Sequence, residues 1–239
     1  MIDSVNIVIM DPQVFDLFPL TVFKDKIDIL EKEKNQIIKF ILDTEKKTNN
    51  DKKKGDAWLG DTKGQEYIFK NPIMKNLSIL ISKKIQLYTK MLGLNNDKLC
   101  FFYQRSWATI TKTNERIQPH RHDQSNISFA YYPLKPIDSG DLRFIVEPQN
   151  EIAKGLFHKE KLDLGLLKTV NNRNTPNVDL HISENDIVIF PSKAQHATIP
   201  NKTNSPRISI SGDITIMLKD SYGHERLMPH FNNWQQFEN

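Results

Sequence analysis

The chain has 239 residues, 38% hydrophobic and 26% charged, with 33 basic against 29 acidic side chains and a net charge of +4. This is the composition of a soluble globular protein long enough for one large domain, and its interspersed charges form no basic stripe for nucleic acid. A single cysteine, Cys100, excludes an internal disulfide, while the absence of a basic leader and of any apolar run near ~18–20 residues argues against membrane insertion and makes the cytoplasm the expected location.

Residues 5–10 read as a short β-rich run closed by Asp11-Pro12. Residues 14–23 contain Phe18-Pro19 and suit a sheet edge, because proline cannot donate to a central ladder. Over residues 28–43, Leu30, Ile37, Ile38, Ile41 and Leu42 recur at helical spacing, with Lys32, Lys34 and Lys39 expected in water. Residues 45–55 read as a charged loop and residues 56–69 as an irregular, partly extended segment around Trp58. Asn71-Pro72 supplies an N-cap followed by a proline suited to the first helical turn. The apolar period then runs from Ile73 to Leu92, and Gly93 ends it.

From Lys98 the pattern becomes β. Residues 99–111 are rich in aromatic and β-branched side chains, and residues 126–134, 142–146, 187–190 and 207–218 read as further strands. Ser139-Gly140-Asp141 and Glu184-Asn185-Asp186 read as turns. Residues 147–181 are long and aperiodic, the pattern of a lid or a loop. Helices first and strands afterwards imply an α+β fold with a barrel or double-sheet core.

The chemistry concentrates in Gln118-Pro119-His120-Arg121-His122-Asp123 and in Phe190-Pro191-Ser192-Lys193-Ala194-Gln195-His196. Residues at i and i+2 of an extended segment share a face, so His120 and His122 can reach one ion, with His196 arriving from elsewhere. Imidazole suits iron, zinc, copper and nickel alike, so residue type alone does not select the metal. In residues 207–216 the odd positions, Arg207, Ser209, Ser211 and Asp213, are polar, and the even ones are mostly isoleucine. Arg207 and Ser209 therefore project together, a guanidinium and a hydroxyl suited to a carboxylate. Tyr132, Asn126 and Ser128 share the even register of the histidines, and Trp107 and Tyr103 are further candidates for a pocket wall. Cys100, His158, His181, His224 and His230 carry no assignment.

Taken in order, Pro119-His120-x-His122, Ser128-Phe129-Ala130-Tyr131-Tyr132, Ser139-Gly140-Asp141-Leu142-x-Phe144, Ile189-Phe190-Pro191-Ser192 with His196, and Arg207-Ile208-Ser209-Ile210-Ser211 resemble the iron(II)/2-oxoglutarate-dependent oxygenases. The likeness is to their prolyl-hydroxylase-like group and its small bacterial and phage branch. It covers most of residues 14–217 and is strongest over 106–217. The resemblance implies a double-stranded β-helix (jelly-roll, cupin-like) core with the N-terminal helices packed outside. It implies one domain over 1–239: a mainly helical part (1–97), a jelly-roll core (98–218) and a C-terminal tail (219–239).

The resemblance further implies Fe(II) held by His120, His122 and His196, with 2-oxoglutarate and O2 as co-substrates. Arg207, Ser209 and Tyr132 would bind 2-oxoglutarate, and the reaction would be a hydroxylation of an unidentified small-molecule or macromolecular substrate. The commoner second ligand in such enzymes is a carboxylate. Here His122 stands in that place, with Asp123 as the alternative if a bulge re-aims it. A cupin-type metalloenzyme that does not use 2-oxoglutarate and a non-catalytic jelly-roll binding module are the rival readings.

Overall fold

The structure is a computed structural model that describes residues 19–48, 51–145, 166–171, 173–175, 177–220 and 228–238. The expected strand over 5–10, the segment 14–18, His158, His224 and most of the 147–181 excursion lie outside the described residues.

Among the described residues, two antiparallel sheets and two α-helices make up the fold. The strands are β1 (Phe23–Lys26), β2 (Trp58–Leu59), β3 (Leu99–Thr111), β4 (Ile127–Leu134), β5 (Leu142–Ile145), β6 (Asn177–Leu180), β7 (Asp186–Pro191), β8 (His196–Thr198) and β9 (Arg207–Leu218). The larger sheet has the order β1-β7-β4-β9-β3-β2 and the smaller one β6-β5-β8. The helices are α1 (Glu31–Lys47) and α2 (Lys75–Met91). The result is the expected α+β class with a jelly-roll core and helices outside it. β1 and β2, from the N-terminal part expected to be mainly helical, belong to the larger sheet.

Alternation along each strand sorts the two faces of the larger sheet. Ile127, Phe129 and Tyr131 of β4, Ile187 and Ile189 of β7, Ile208, Ile210 and Ile214 of β9, and Ala108 and Ile110 of β3 face the helices. They meet Ile37 and Ile41 of α1 and Leu77, Ile81, Ile85 and Tyr88 of α2, which recur every three to four residues and so lie on one helical stripe. Each such side chain stabilises the fold by about 1.5–3 kcal/mol on burial. On the other face, Ala130, Tyr132, Val188 and Phe190 pack against Leu142 and Phe144 of the smaller sheet. A register shift between Tyr103 and Arg105 reverses the parity of β3, so that Tyr103 faces the helices while Trp107 faces inward.

Several local expectations are corrected. Lys34 is only 3% exposed, because its ammonium reaches Glu184 at 2.6 Å and Glu31 at 2.9 Å. Burial opposes the charge on Lys34, but those two carboxylates raise its pKa. α1 runs past Asp43 to Lys47, so Lys46 and Lys47 form its basic last turn rather than a loop, and Glu45 is buried. Leu30 is the exposed residue preceding α1 rather than part of its apolar stripe, and Leu92 just past α2 is likewise exposed. Asn71 does cap a helical turn, its side chain accepting from the Ile73 N–H at 3.1 Å, but that turn is a 3-10 turn and α2 begins at Lys75. The aperiodic excursion re-enters the smaller sheet at Asn177, where β6 pairs with β5. No helix among the described residues is long and apolar enough to cross a membrane.

Candidate metal centre

The smaller sheet places the histidines. His196 begins β8, and His120 adds one antiparallel bridge beside it, each N–H donating to the other's carbonyl at 2.9 Å. Two residues on, the His122 N–H donates to the Ser192 carbonyl at 2.9 Å, which turns both imidazoles to the same side. His120, His122 and His196 each offer one ring nitrogen, and these atoms lie within 4.8 Å of one another. The ring centroids are 4.2 Å apart for His120 and His196, 5.0 Å for His120 and His122, and 5.5 Å for His122 and His196.

Each ring is oriented through Nδ1. In His120 that nitrogen lies 2.9 Å from the Gln118 carbonyl, and in His196 it lies 2.9 Å from the Ala194 carbonyl, the same two-residue return in both. A carbonyl only accepts, so Nδ1 carries the proton and Nε2 keeps its lone pair. In His122, Nδ1 lies 3.4 Å from Oδ1 of Asp213. Burial pushes the His196 imidazole down to about 3, with His120 adding to the effect, and burial also lowers His120. Neutral rings with free Nε2 atoms are what a divalent ion requires of imidazole.

The rings open into a cavity of ≈ 360 Å³ between the two sheets. Trp107, Tyr132, Leu142 and Phe190 form apolar wall, and Thr109, Thr198, Ser209 and Ser211 contribute hydroxyls. Arg207 is 1% exposed and lies behind this wall rather than on it. Its Nη1 donates to the Ser139 and Gly140 carbonyls, both at 2.7 Å, and approaches that of Ile199 at 3.3 Å. Its Nη2 donates to the hydroxyls of Thr198 at 2.8 Å and Thr111 at 3.2 Å. Gly140 makes this possible. Its φ is +86°, and a Cβ there would stand 2.0 Å from the Ile199 carbonyl oxygen and 2.9 Å from Nη1.

The cluster thus gathers His120, His122 and His196, and Ser209 and Tyr132 line the same cavity. Burial pushes the Tyr132 hydroxyl up to about 12, although the nearby Arg207 works against the shift. Asp123 is not brought to the cluster: its side chain is 72% exposed and ion-paired with Arg121 at 2.9 Å. Trp107 lies beside His122, ring centroids 5.5 Å apart. Tyr103 faces the helices instead, where its hydroxyl donates to the Ser78 carbonyl at 2.6 Å. Cys100 is a free thiol on β3, His181 contacts Asp141 at 3.2 Å, and His230 stacks on Phe231 and meets Phe102 edge-on. The sequence reading passed over Asp213 and the hydroxyls of Thr109 and Thr198. Asp213 had a signal, the odd register it shares with Arg207, Ser209 and Ser211. The two threonines had none, since their approach depends on β3 and β8 facing one another across the cavity.

Residues 105–213 match the family model described as "Putative 2OG-Fe(II) oxygenase". No curated protein matches the chain. Among solved structures, the chain is similar to the non-heme alpha ketoglutarate dependent epimerase SnoN from nogalamycin biosynthesis, at 11% identity and a TM-score of 0.54, covering 88% of this chain and 89% of that one. It is also similar to the non-heme alpha ketoglutarate dependent carbocyclase SnoK of the same biosynthesis, at 10% identity and a TM-score of 0.53, covering 88% of both chains. AviO1 from Streptomyces viridochromogenes Tue57 gives 12% identity and a TM-score of 0.51 over 82% of this chain and 90% of that one. At these identities the likeness is one of fold. The matched segment holds His120, His122, His196 and Arg207, so the likeness to the 2OG-Fe(II) oxygenases falls on the residues of the cluster.

Proposed function

We propose that the protein is an Fe(II)- and 2-oxoglutarate-dependent oxygenase, a hydroxylase, in which His120, His122 and His196 hold the iron. The observation that carries this reading is the convergence of three imidazoles in a cavity that has a buried arginine behind its wall. The donor set suits iron, and SnoN, which shares the fold, has been solved in complex with Fe3+ and alpha ketoglutarate. When bound, the iron with its co-substrate and O2 supplies the oxidising power; the chain supplies position and excludes water.

The cavity also suits a dicarboxylate. Arg207 is a buried cation whose hydrogen bonds all go to neutral carbonyls and hydroxyls, so its charge is not cancelled by a carboxylate in contact. The Thr198 hydroxyl accepts from both Arg207 and the Ile117 N–H, at 2.8 and 2.9 Å, which occupies its two lone pairs. Its own proton is left to be donated, and the residue lines the cavity. The Thr109 hydroxyl is buried without a hydrogen-bond partner among the described residues and lines the same space. These two hydroxyls and that of Ser209 would hold the distal carboxylate, with Arg207 supporting them from behind and Tyr132 closing the wall.

A cupin-type enzyme that does not use 2-oxoglutarate is the second reading, favoured by the enclosure of Arg207 and by a cluster that, among the described residues, holds histidines and no carboxylate. The test is anaerobic addition of Fe(II) and 2-oxoglutarate. The proposal expects a weak visible charge-transfer band, absent in His196→Ala, and succinate formation once O2 and a substrate are admitted. Metal-loaded protein that neither develops the band nor binds 2-oxoglutarate would leave the second reading standing. The substrate is an unidentified small molecule or macromolecule.

A further inference from the structure

We infer that Asp213 is the carboxylate of this metal centre, acting through His122 as a positioning residue rather than as a ligand; the inference rests on the metal-centre reading above. The three groups that converge are all imidazoles, and the one carboxylate of the hexapeptide, Asp123, points to solvent. Asp213 is instead 0% exposed, and its Oδ1 lies 3.4 Å from Nδ1 of His122, on the side of the ring away from the free Nε2. Among the described residues this Nδ1 has no other acceptor. His120 and His196 rest on backbone carbonyls, so His122 alone is backed by a charge.

The carboxylate is itself held in place. Oδ1 accepts from the Ser128 hydroxyl at 2.9 Å, and Oδ2 accepts from Nε2 of Gln124 at 3.1 Å. Ser128 and Ser125 both reach the Ser192 hydroxyl, at 2.9 and 2.8 Å, and the Ser192 carbonyl receives the His122 N–H at 2.9 Å. One buried network therefore fixes both the backbone and the ring of His122. β9 places Asp213 opposite Ser128 in register, three odd positions along the strand from Arg207, so the same strand face supplies a positive group and a negative group to the two ends of the site. A carboxylate behind a ligating imidazole raises its basicity and fixes its tautomer, and removing such a partner lowers metal affinity by about 10–100-fold. By this route the chain keeps one negative charge at the centre although no carboxylate is a ligand.

The test is titration of the full-length protein with Fe(II), anaerobically, and with Co(II), comparing wild type, D213N, H122D and the double variant H122D/D213N. Asparagine keeps the shape of Asp213 and one acceptor oxygen for Ser128 and His122, removes the charge, and requires the Gln124 amide to turn over so that its oxygen meets the new NH2. D213N is expected to lose about 10–100-fold in affinity while the metal-free protein keeps its melting temperature. In H122D a carboxylate enters the ligand set directly, so adding D213N should then change nothing. A purely structural Asp213 predicts the same loss in both backgrounds, and wild-type affinity in D213N overturns the inference outright. Wild-type protein that binds neither ion overturns the metal-centre reading as well, which separates the two failures. If D213N does not fold, the Co(II)-loaded wild type decides: its shifted, slowly exchanging ring N–H signals should include one that disappears in H122D, and rapid exchange of the His122 N–H with water would refute the contact.

Discussion

The two faces of the larger sheet are made by the same strands, yet they do opposite work. Ile210 packs into the helix-covered core, while Ser209 and Ser211 on either side of it line the cavity. Ile110 and Thr109 divide in the same way on β3, and Phe129 and Ser128 on β4. The helix face is apolar and filled. The cavity face carries hydroxyls, a buried arginine and a buried aspartate, and it contains a space. Burial stabilises the first face directly, whereas each polar group on the second stabilises only when something accepts or donates to it. Stability and ligand binding should therefore separate by residue parity.

The largest separation is expected at Ile210→Ala. Truncating a fully buried isoleucine is expected to lower stability by about 2–5 kcal/mol through lost transfer energy and the cavity left behind. Folded protein should still bind metal and 2-oxoglutarate near wild-type affinity, by denaturant midpoints and calorimetry. A proportionate loss of binding would break the division between the faces. Arg207→Met tests a residue expected to lose on both counts. It strips the donors from the Ser139 and Gly140 carbonyls, for about 2 kcal/mol of stability. It should also weaken 2-oxoglutarate by more than tenfold without moving metal affinity.

How much of this was legible beforehand follows from the same parity. Alternation in residues 207–216 is strict, so the faces of β9 could be read from the sequence, and with them the pairing of Arg207 and Ser209. β3 could not be read so simply, because the shift between Tyr103 and Arg105 reverses its parity, and Tyr103 ended on the helix side. The histidines were found by spacing, since His120 and His122 need only be two residues apart. Long-range pairing was not legible: nothing local says that β8 brings Thr198 against Arg207, or that Glu184 draws Lys34 out of water. The enclosure of Arg207 depends on the Gly140 turn closing over it. The sequence displays that glycine but not its closeness to Ile199.

Asp186 belongs to neither face and serves as a control at the sheet edge. It starts β7, where Lys24 and Lys26 reach it at 3.0 and 2.7 Å and the Ser183 N–H donates to it at 2.7 Å. Burial works to raise its pKa, but Lys26, Ser183 and Lys24 together hold the carboxyl below its ordinary 3.8. A carboxyl depressed in the folded state contributes stability that is present above the unfolded value and is lost as pH falls through the folded one. Asp186→Asn should therefore lower stability by about 1 kcal/mol at pH 7, a modest figure because both lysines are partly solvated. The gap between wild type and variant should narrow below about pH 4, with ligand binding unchanged throughout. A gap that does not depend on pH would mean that packing, not charge, is what the carboxylate contributes.

The smallest effect is the most discriminating. Thr109 sits beside Ile110 and is 1% exposed, and its hydroxyl has no hydrogen-bond partner among the described residues. A buried hydroxyl left unpaired disfavours the fold, so Thr109→Val should leave stability unchanged or raise it by up to about 1 kcal/mol. If that hydroxyl is kept for the co-substrate carboxylate, the same change should weaken 2-oxoglutarate by roughly 1 kcal/mol, or about fivefold, with Fe(II) affinity untouched. The two measurements move in opposite directions only if the polar group serves a ligand. Were Thr109→Val to gain stability and lose no affinity for 2-oxoglutarate, the carboxylate would have to sit elsewhere on the wall. Ser209 and Thr198 would then be its remaining hydroxyl donors, and the burial of Thr109 without a partner would have no ligand to account for it.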